Sequence, residues 1–202
     1  MSYRDPVELS FLASKKEKAS ALPPEWYQEI DGKRILRLLL CVGLNGTGKT
    51  KMIEALQYLR MLAVYKPEKP TDRPAFRPFL LDEQSRYEPS ELSLTYYINN
   101  TCHYYYIKVS EKRIEEEILK QISPNILLYH RFYNSETDTV SIKFGSDSDI
   151  SKSTQQALKL TVIQNSSVLS VFGSLNLESQ SLKANYDFFN QHISLIRKSS
   201  NQ

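Results

Sequence analysis

Apolar side chains fall on alternate positions at Leu92, Leu94, Tyr96 and Ile98, which predicts a strand with one buried face over 91–98. Asn99-Asn100 tolerates positive φ and closes a hairpin, so HYYYIKV (103–109) reads as the return strand. ILLYHRFY (126–133) and TVSIKF (139–144) continue the pattern as two further strands joined by a polar turn. Residues 112–122 stay open: Ile114, Ile118, Leu119 and Ile122 fit a helix, while the same run tolerates a strand. From about residue 152 the period becomes helical at Ala157, Leu158, Thr161 and Val162, and a second helix is expected near 182–197.

Upstream, Ile35–Val42 is an apolar run broken by Arg37, with turn-rich flanks, and its length suits a buried strand. Met52, Ile53, Leu56, Leu59, Leu62 and Ala63 then recur with the period of a helix that Pro67 ends. Five prolines between residues 66 and 90 mark an irregular connection. ELSFLAS (8–14) reads as a short strand, and the chain around Pro23, Pro24, Asp31 and Gly32 reads as loop. The expected order is strand, helix, antiparallel meander and helices, an α/β outline with an antiparallel insertion.

Length changes little in this picture, since 202 residues fit one domain. A net charge of +3 is too small an excess to argue for nucleic acid on its own. Cys41 and Cys102 form no CxxC, so a disulfide framework is not expected and a reducing cytoplasm fits. Cys41, inside the apolar run, reads as a small core residue. The first residues lack the order of a signal peptide, and the longest apolar stretch is too short to cross a bilayer.

Between the apolar run and the helix stands Gly43-Leu44-Asn45-Gly46-Thr47-Gly48-Lys49-Thr50, which fills every fixed position of G-x-x-x-x-G-K-[ST]. Glycines let such a loop curl its N–H groups toward phosphate oxygens, and the helix that follows adds its positive end. Lys49 is placed to reach the β- and γ-phosphates of a nucleotide, and Thr50 to hold Mg²⁺. The expected cofactors are therefore ATP and Mg²⁺, with Gly43, Asn45, Gly46, Thr47, Gly48, Lys49 and Thr50 as the binding residues.

The inner Asn45-Gly46 pair resembles the phosphate loop of ABC-type ATPases, including the branch of chromosome-structure and DNA-repair proteins. With PVELSFLAS (6–14), PFLLDEQSRYEPSELSLTYYIN (78–99) and VSIKFG (140–145), the chain resembles the N-terminal half of a bacterial ABC-like AAA-family ATP-binding protein. That group overlaps the OLD family and is often tied to abortive infection and other anti-phage systems. The resemblance implies a P-loop NTPase lobe over 1–202. Its parts would be strand, loop and helix at 1–66, connection at 67–90, meander at 91–145 and helices at 150–202. It also implies a second half with the ABC signature, the Walker B acids and a switch histidine, none of which is visible in this sequence. Hydrolysis would then need a second ATPase head, as in a homodimer, or a complementing chain. Nucleic acid enters as a partner by family analogy only, and no membrane is expected.

Phe79-Leu80-Leu81-Asp82-Glu83 imitates a Walker B segment, but its apolar run is three residues long and follows Pro78. Asp82 and Glu83 are kept as weak catalytic candidates beside the reading of a capped turn. Gln164 is a loose match to the glutamine that ABC-type proteins use to sense Mg²⁺ and γ-phosphate, against a surface glutamine on a helix. Glu115-Glu116-Glu117 reads as a solvated face, and Tyr104-Tyr105-Tyr106 as sheet packing in preference to a base-stacking platform. His103, His130 and His192 have no metal-ligand spacing. The competing classes are a module that binds Mg-nucleotide or an ATPase partner without turnover, and a small P-loop kinase. The antiparallel meander opposes the kinase, which needs those residues for βα units. A lobe without its second half would leave an apolar sheet edge and face exposed, which predicts poor solubility or self-association.

Overall fold

A computed structural model of the chain describes residues 5–13, 22–69, 71–74 and 88–194. These divide into two compact units, separated between Thr50 and Lys51.

The smaller unit is built on a hairpin of β1 (Tyr27–Ile30) and β2 (Lys33–Leu36), entered by a short 3₁₀ turn over Pro24–Trp26. Asp31 and Gly32 both have positive φ, 52° and 67°, which is the two-residue turn that matches strand twist. Leu12 bridges Ile35 on the open edge of β2, and Leu36 donates its N–H to the Phe11 carbonyl at 2.7 Å. The ELSFLAS expectation thus survives as a single bridge.

The buried strand expected over Ile35–Val42 does not form. Only Ile35 and Leu36 belong to β2, and residues 37–42 are outside any strand. Leu38, Leu40 and Val42 are 74%, 80% and 80% exposed, and Cys41 is exposed rather than in a core. An apolar run has the residues of a core strand whether or not a neighbour pairs with it. Among the described residues no strand does, so the run has neither ladder nor cover.

Helix α1 (Lys49–Val64) starts in the smaller unit and continues into the larger. Of its apolar stripe, Leu59, Leu62 and Ala63 are buried, whereas Ile53 and Leu56 are exposed. The larger unit is a five-stranded antiparallel meander, β3 (Ser90–Ile98), β4 (Thr101–Val109), β5 (Ile114–Ser123), β6 (Ile126–Asn134) and β7 (Thr139–Phe144), in sequential order. Asn99 and Asn100 both have positive φ, closing the first hairpin as expected. The open segment 112–122 is a strand from Ile114 onward. Its pairing on both edges, with β4 and β6, decides what period alone left undecided.

Three helices follow: α2 (Lys152–Thr161), α3 (Val168–Ser174) and α4 (Gln180–Asp187), the last running into a π turn over Phe188–His192. Each has a serine N-cap, Ser151, Ser167 and Ser179, whose hydroxyl accepts a helix N–H. Leu158, Leu169, Val171, Leu182 and Phe189 pack with Tyr105, Ile107, Leu119 and Tyr129 of the sheet and with Leu59 and Leu62 of α1 in one core. The chain is thus mixed α and β, with its helices against an antiparallel sheet. No helix among the described residues is long and apolar enough to cross a membrane.

Candidate functional site

The turn at Asn45-Gly46 places the loop in front of α1. Gly46 and Gly48 take φ of 83° and 91°, values that an L side chain adopts only under strain. Lys49, the first residue of α1, folds its side chain back across the loop. Its ammonium donates to the carbonyls of Gly43 and Leu44, each at 2.6 Å, and lies 3.4 Å from Thr47 Oγ1. The Thr47 hydroxyl donates to the Leu44 carbonyl at 2.9 Å. A Cβ on Gly43 would stand 3.2 Å from Thr47 Oγ1, so a side chain there would crowd the loop's interior. Asn45 and Thr50 are exposed, and Leu44 is 82% exposed.

The seven expected binding residues therefore lie together on one loop and one helix start. That environment fits a polyphosphate: a positive helix end, a lysine ammonium held at the mouth, and a threonine hydroxyl on the first turn. For Mg²⁺, Thr50 is the one protein ligand this loop offers, consistent with an ion that keeps most of its waters and binds phosphate oxygens.

The other candidates are elsewhere or undescribed. Asp82 and Glu83 lie outside the described residues. Gln164 sits in the turn between α2 and α3, not on a helix. Its backbone carbonyl accepts from the Ile114 N–H at 2.9 Å and from the Arg131 guanidinium at 2.8 Å. In the larger unit a cleft of about 410 Å³ opens beside the end of α1, lined by Arg60, Met61, Tyr65, Lys66 and Tyr186 among others. It contains no loop residue.

Glu117 departs furthest from expectation. Expected on a solvated face, it is fully buried and faces Arg131 across the β5–β6 pair. Its Oε1 accepts from the hydroxyls of Tyr105 at 3.0 Å and Tyr129 at 2.7 Å, and its Oε2 from the Val168 N–H at 2.8 Å. Burial pushes the Glu117 carboxyl up, against the pull of Tyr129, Val168 and Arg131. Burial also lowers Arg131, to about 10, which leaves it charged at neutral pH. Its guanidinium donates to the carbonyls of Ile114, Ile163 and Gln164. The cluster clamps residues 163–168 to the sheet. Ser167 Oγ, bonded to the Leu62 carbonyl at 2.7 Å, ties the same segment to α1. One signal was present in the sequence: Glu117 is in register with the inward positions Ile114 and Leu119, once the segment is a strand with a bulge.

No family model, curated protein or solved structure matches the chain.

Proposed function

We propose that residues 43–50 bind the triphosphate of Mg-ATP, as the nucleotide-holding lobe of an ABC-like AAA-family P-loop ATPase. The observation that carries this is the loop itself. Two glycines at positive φ and a lysine bridging the loop's first carbonyls open a helix of 16 residues. Gly43, Asn45, Gly46, Thr47 and Gly48 would line the phosphates, Lys49 would pair with their charge, and Thr50 would hold Mg²⁺. Bound Mg²⁺ would neutralise charge on the β- and γ-phosphate oxygens.

Turnover, in this proposal, draws on groups outside this stretch of chain: a second ATPase head or a complementing chain. The exposed run through Leu38, Leu40 and Val42 supports it, because an apolar segment with no strand beside it among the described residues is what such a neighbour would cover. The protein by itself then holds nucleotide without hydrolysing it. Calorimetry with Mg-ATP on wild type and Lys49→Ala, followed by a phosphate-release assay, tests both parts. Saturable binding that the variant loses, without phosphate release, supports the proposal. Equal binding in the two proteins removes the loop from it, and release by wild type alone removes the need for a second half.

A further inference from the structure

The cleft of about 410 Å³ at the end of α1 has the volume of a small-molecule site. Its apolar walls are Met61 and Val64 of α1 and the ring of Tyr186 on α4, all packed against the core. Tyr65 adds a second ring that is 60% exposed. The Tyr186 wall depends on a glycine. A Cβ at Gly173 of α3 would stand 2.0 Å from the Tyr186 ring, so the ring fills the space a side chain would take.

The charged groups of the cleft have one sign. Arg60 and Lys66 line it, and among the described residues no carboxylate does. Arg60 donates through Nε to the Phe189 carbonyl at 3.0 Å and through Nη2 to that of Asn190 at 3.2 Å. These bonds fix the guanidinium plane and leave Nη1 unengaged among the described residues. Lys66 forms no ion pair among the described residues. The serine hydroxyls are already committed, Ser170 Oγ donating to the Ser167 carbonyl at 3.0 Å and Ser174 Oγ to that of Val171 at 2.8 Å. Apart from the tyrosine hydroxyls, the side-chain donors left for a ligand are the two cations. Helices α1 and α3 both end at the cleft, with Val64 and Ser174. Helix C-termini carry partial negative charge, which opposes a phosphate dianion and suits a single negative charge held between two cations.

We propose that this cleft binds a small aromatic carboxylic acid, its ring against Tyr65 and Tyr186 and its carboxylate at Arg60 and Lys66. Charge complementarity selects this occupant. A cationic ligand would meet Arg60 and Lys66 with no carboxylate to hold it. A nucleotide would bring its phosphates to two helix C-termini. A carboxylate accepts charge-assisted bonds from guanidinium and ammonium alike, and the tyrosine rings favour a flat apolar body. The cleft contains no residue of 43–50, so the site is separate from the phosphate loop.

The test is an NMR titration of the full chain with indole-3-acetate, read at the backbone amides. Saturation is expected with a dissociation constant of about 1 mM or less, and with shifts gathered at residues 60–66 and 170–186. Indole-3-acetamide, the same body without the charge, should bind about fivefold more weakly. Lys66→Gln should remove most of that difference and leave the amide's affinity unchanged, a result that loss of fold would not give. Tyr65→Ala should weaken both ligands, while Tyr65→Phe and Lys49→Ala should bind them like wild type. No saturable binding of indole-3-acetate overturns the proposal. So does equal binding of acid and amide, tighter binding of tryptamine, or a set of shifts centred on the exposed run 38–44.

Discussion

Lys49 and Glu117 are the two residues on which most depends, and they differ in how openly the sequence displays them. Lys49 sits in a motif whose spacing states its task, and its ammonium does cross the mouth of the loop. Replacing it with alanine would remove the charge-assisted hydrogen bonds that the proposal gives it to the phosphates, worth about 1.5–3 kcal/mol each. Mg-ATP affinity should therefore fall at least about tenfold, with the unfolding midpoint in the absence of nucleotide little changed. Glu117 looks like one of three surface acids, yet it accepts three hydrogen bonds in the core. Glu117→Ala leaves two tyrosine hydroxyls and one backbone N–H without their acceptor, and the Arg131 charge without the carboxylate opposite it. Urea unfolding should show a loss of about 3 kcal/mol or more. A loss under about 1 kcal/mol would mean the cluster is solvated.

Elements were legible in the sequence where their period met a local stop or turn. Asn99-Asn100 set the hairpin, Pro67 lies just beyond α1, and the alternation over 91–98 gave β3 to within a residue. Period failed where the deciding partner lies far along the chain. The 112–122 segment became a strand by pairing on both edges, and the 37–42 run did not because nothing described pairs with it. Helix α3 does not show in the pattern because its seven residues are too few to display a stripe and the first five are all buried. Its mark is the serine cap at Ser167.

The start of α4 carries a pH dependence that can be measured. Asp149 accepts from the Ser181 N–H at 2.8 Å and from the hydroxyls of Ser179 and Ser181. Burial alone would raise its carboxyl, but these donors outweigh it and hold it below the ordinary aspartate range. A depressed folded value stabilises the protein above the unfolded value, near pH 4, and the contribution is lost as pH falls through the folded one. Asp149→Asn should therefore unfold more easily than wild type at neutral pH, by about 0.5–1 kcal/mol at this exposed site. The two melting curves should converge in acid. A gap that persists at low pH would assign the effect to packing.

For the molecule as a whole, the apolar stretch from Leu38 to Leu44 is expected to drive association in solution. Its exposed leucines and valine are of the kind a folded protein covers with a neighbour. Sedimentation should show concentration-dependent association, reduced in a Leu40→Lys, Val42→Lys double variant. A wild type that stays monomeric at high concentration would remove this stretch as a contact surface. The nucleotide proposal makes the same stretch the place where a second half or second head completes the ATPase.

Binding of Mg-ATP, measured by calorimetry on wild type and Lys49→Ala side by side, tests the central claim most directly. The loop geometry predicts saturable binding to wild type that is lost or weakened at least about tenfold in the variant. Equal affinities in the two proteins, or no binding to wild type, would contradict it.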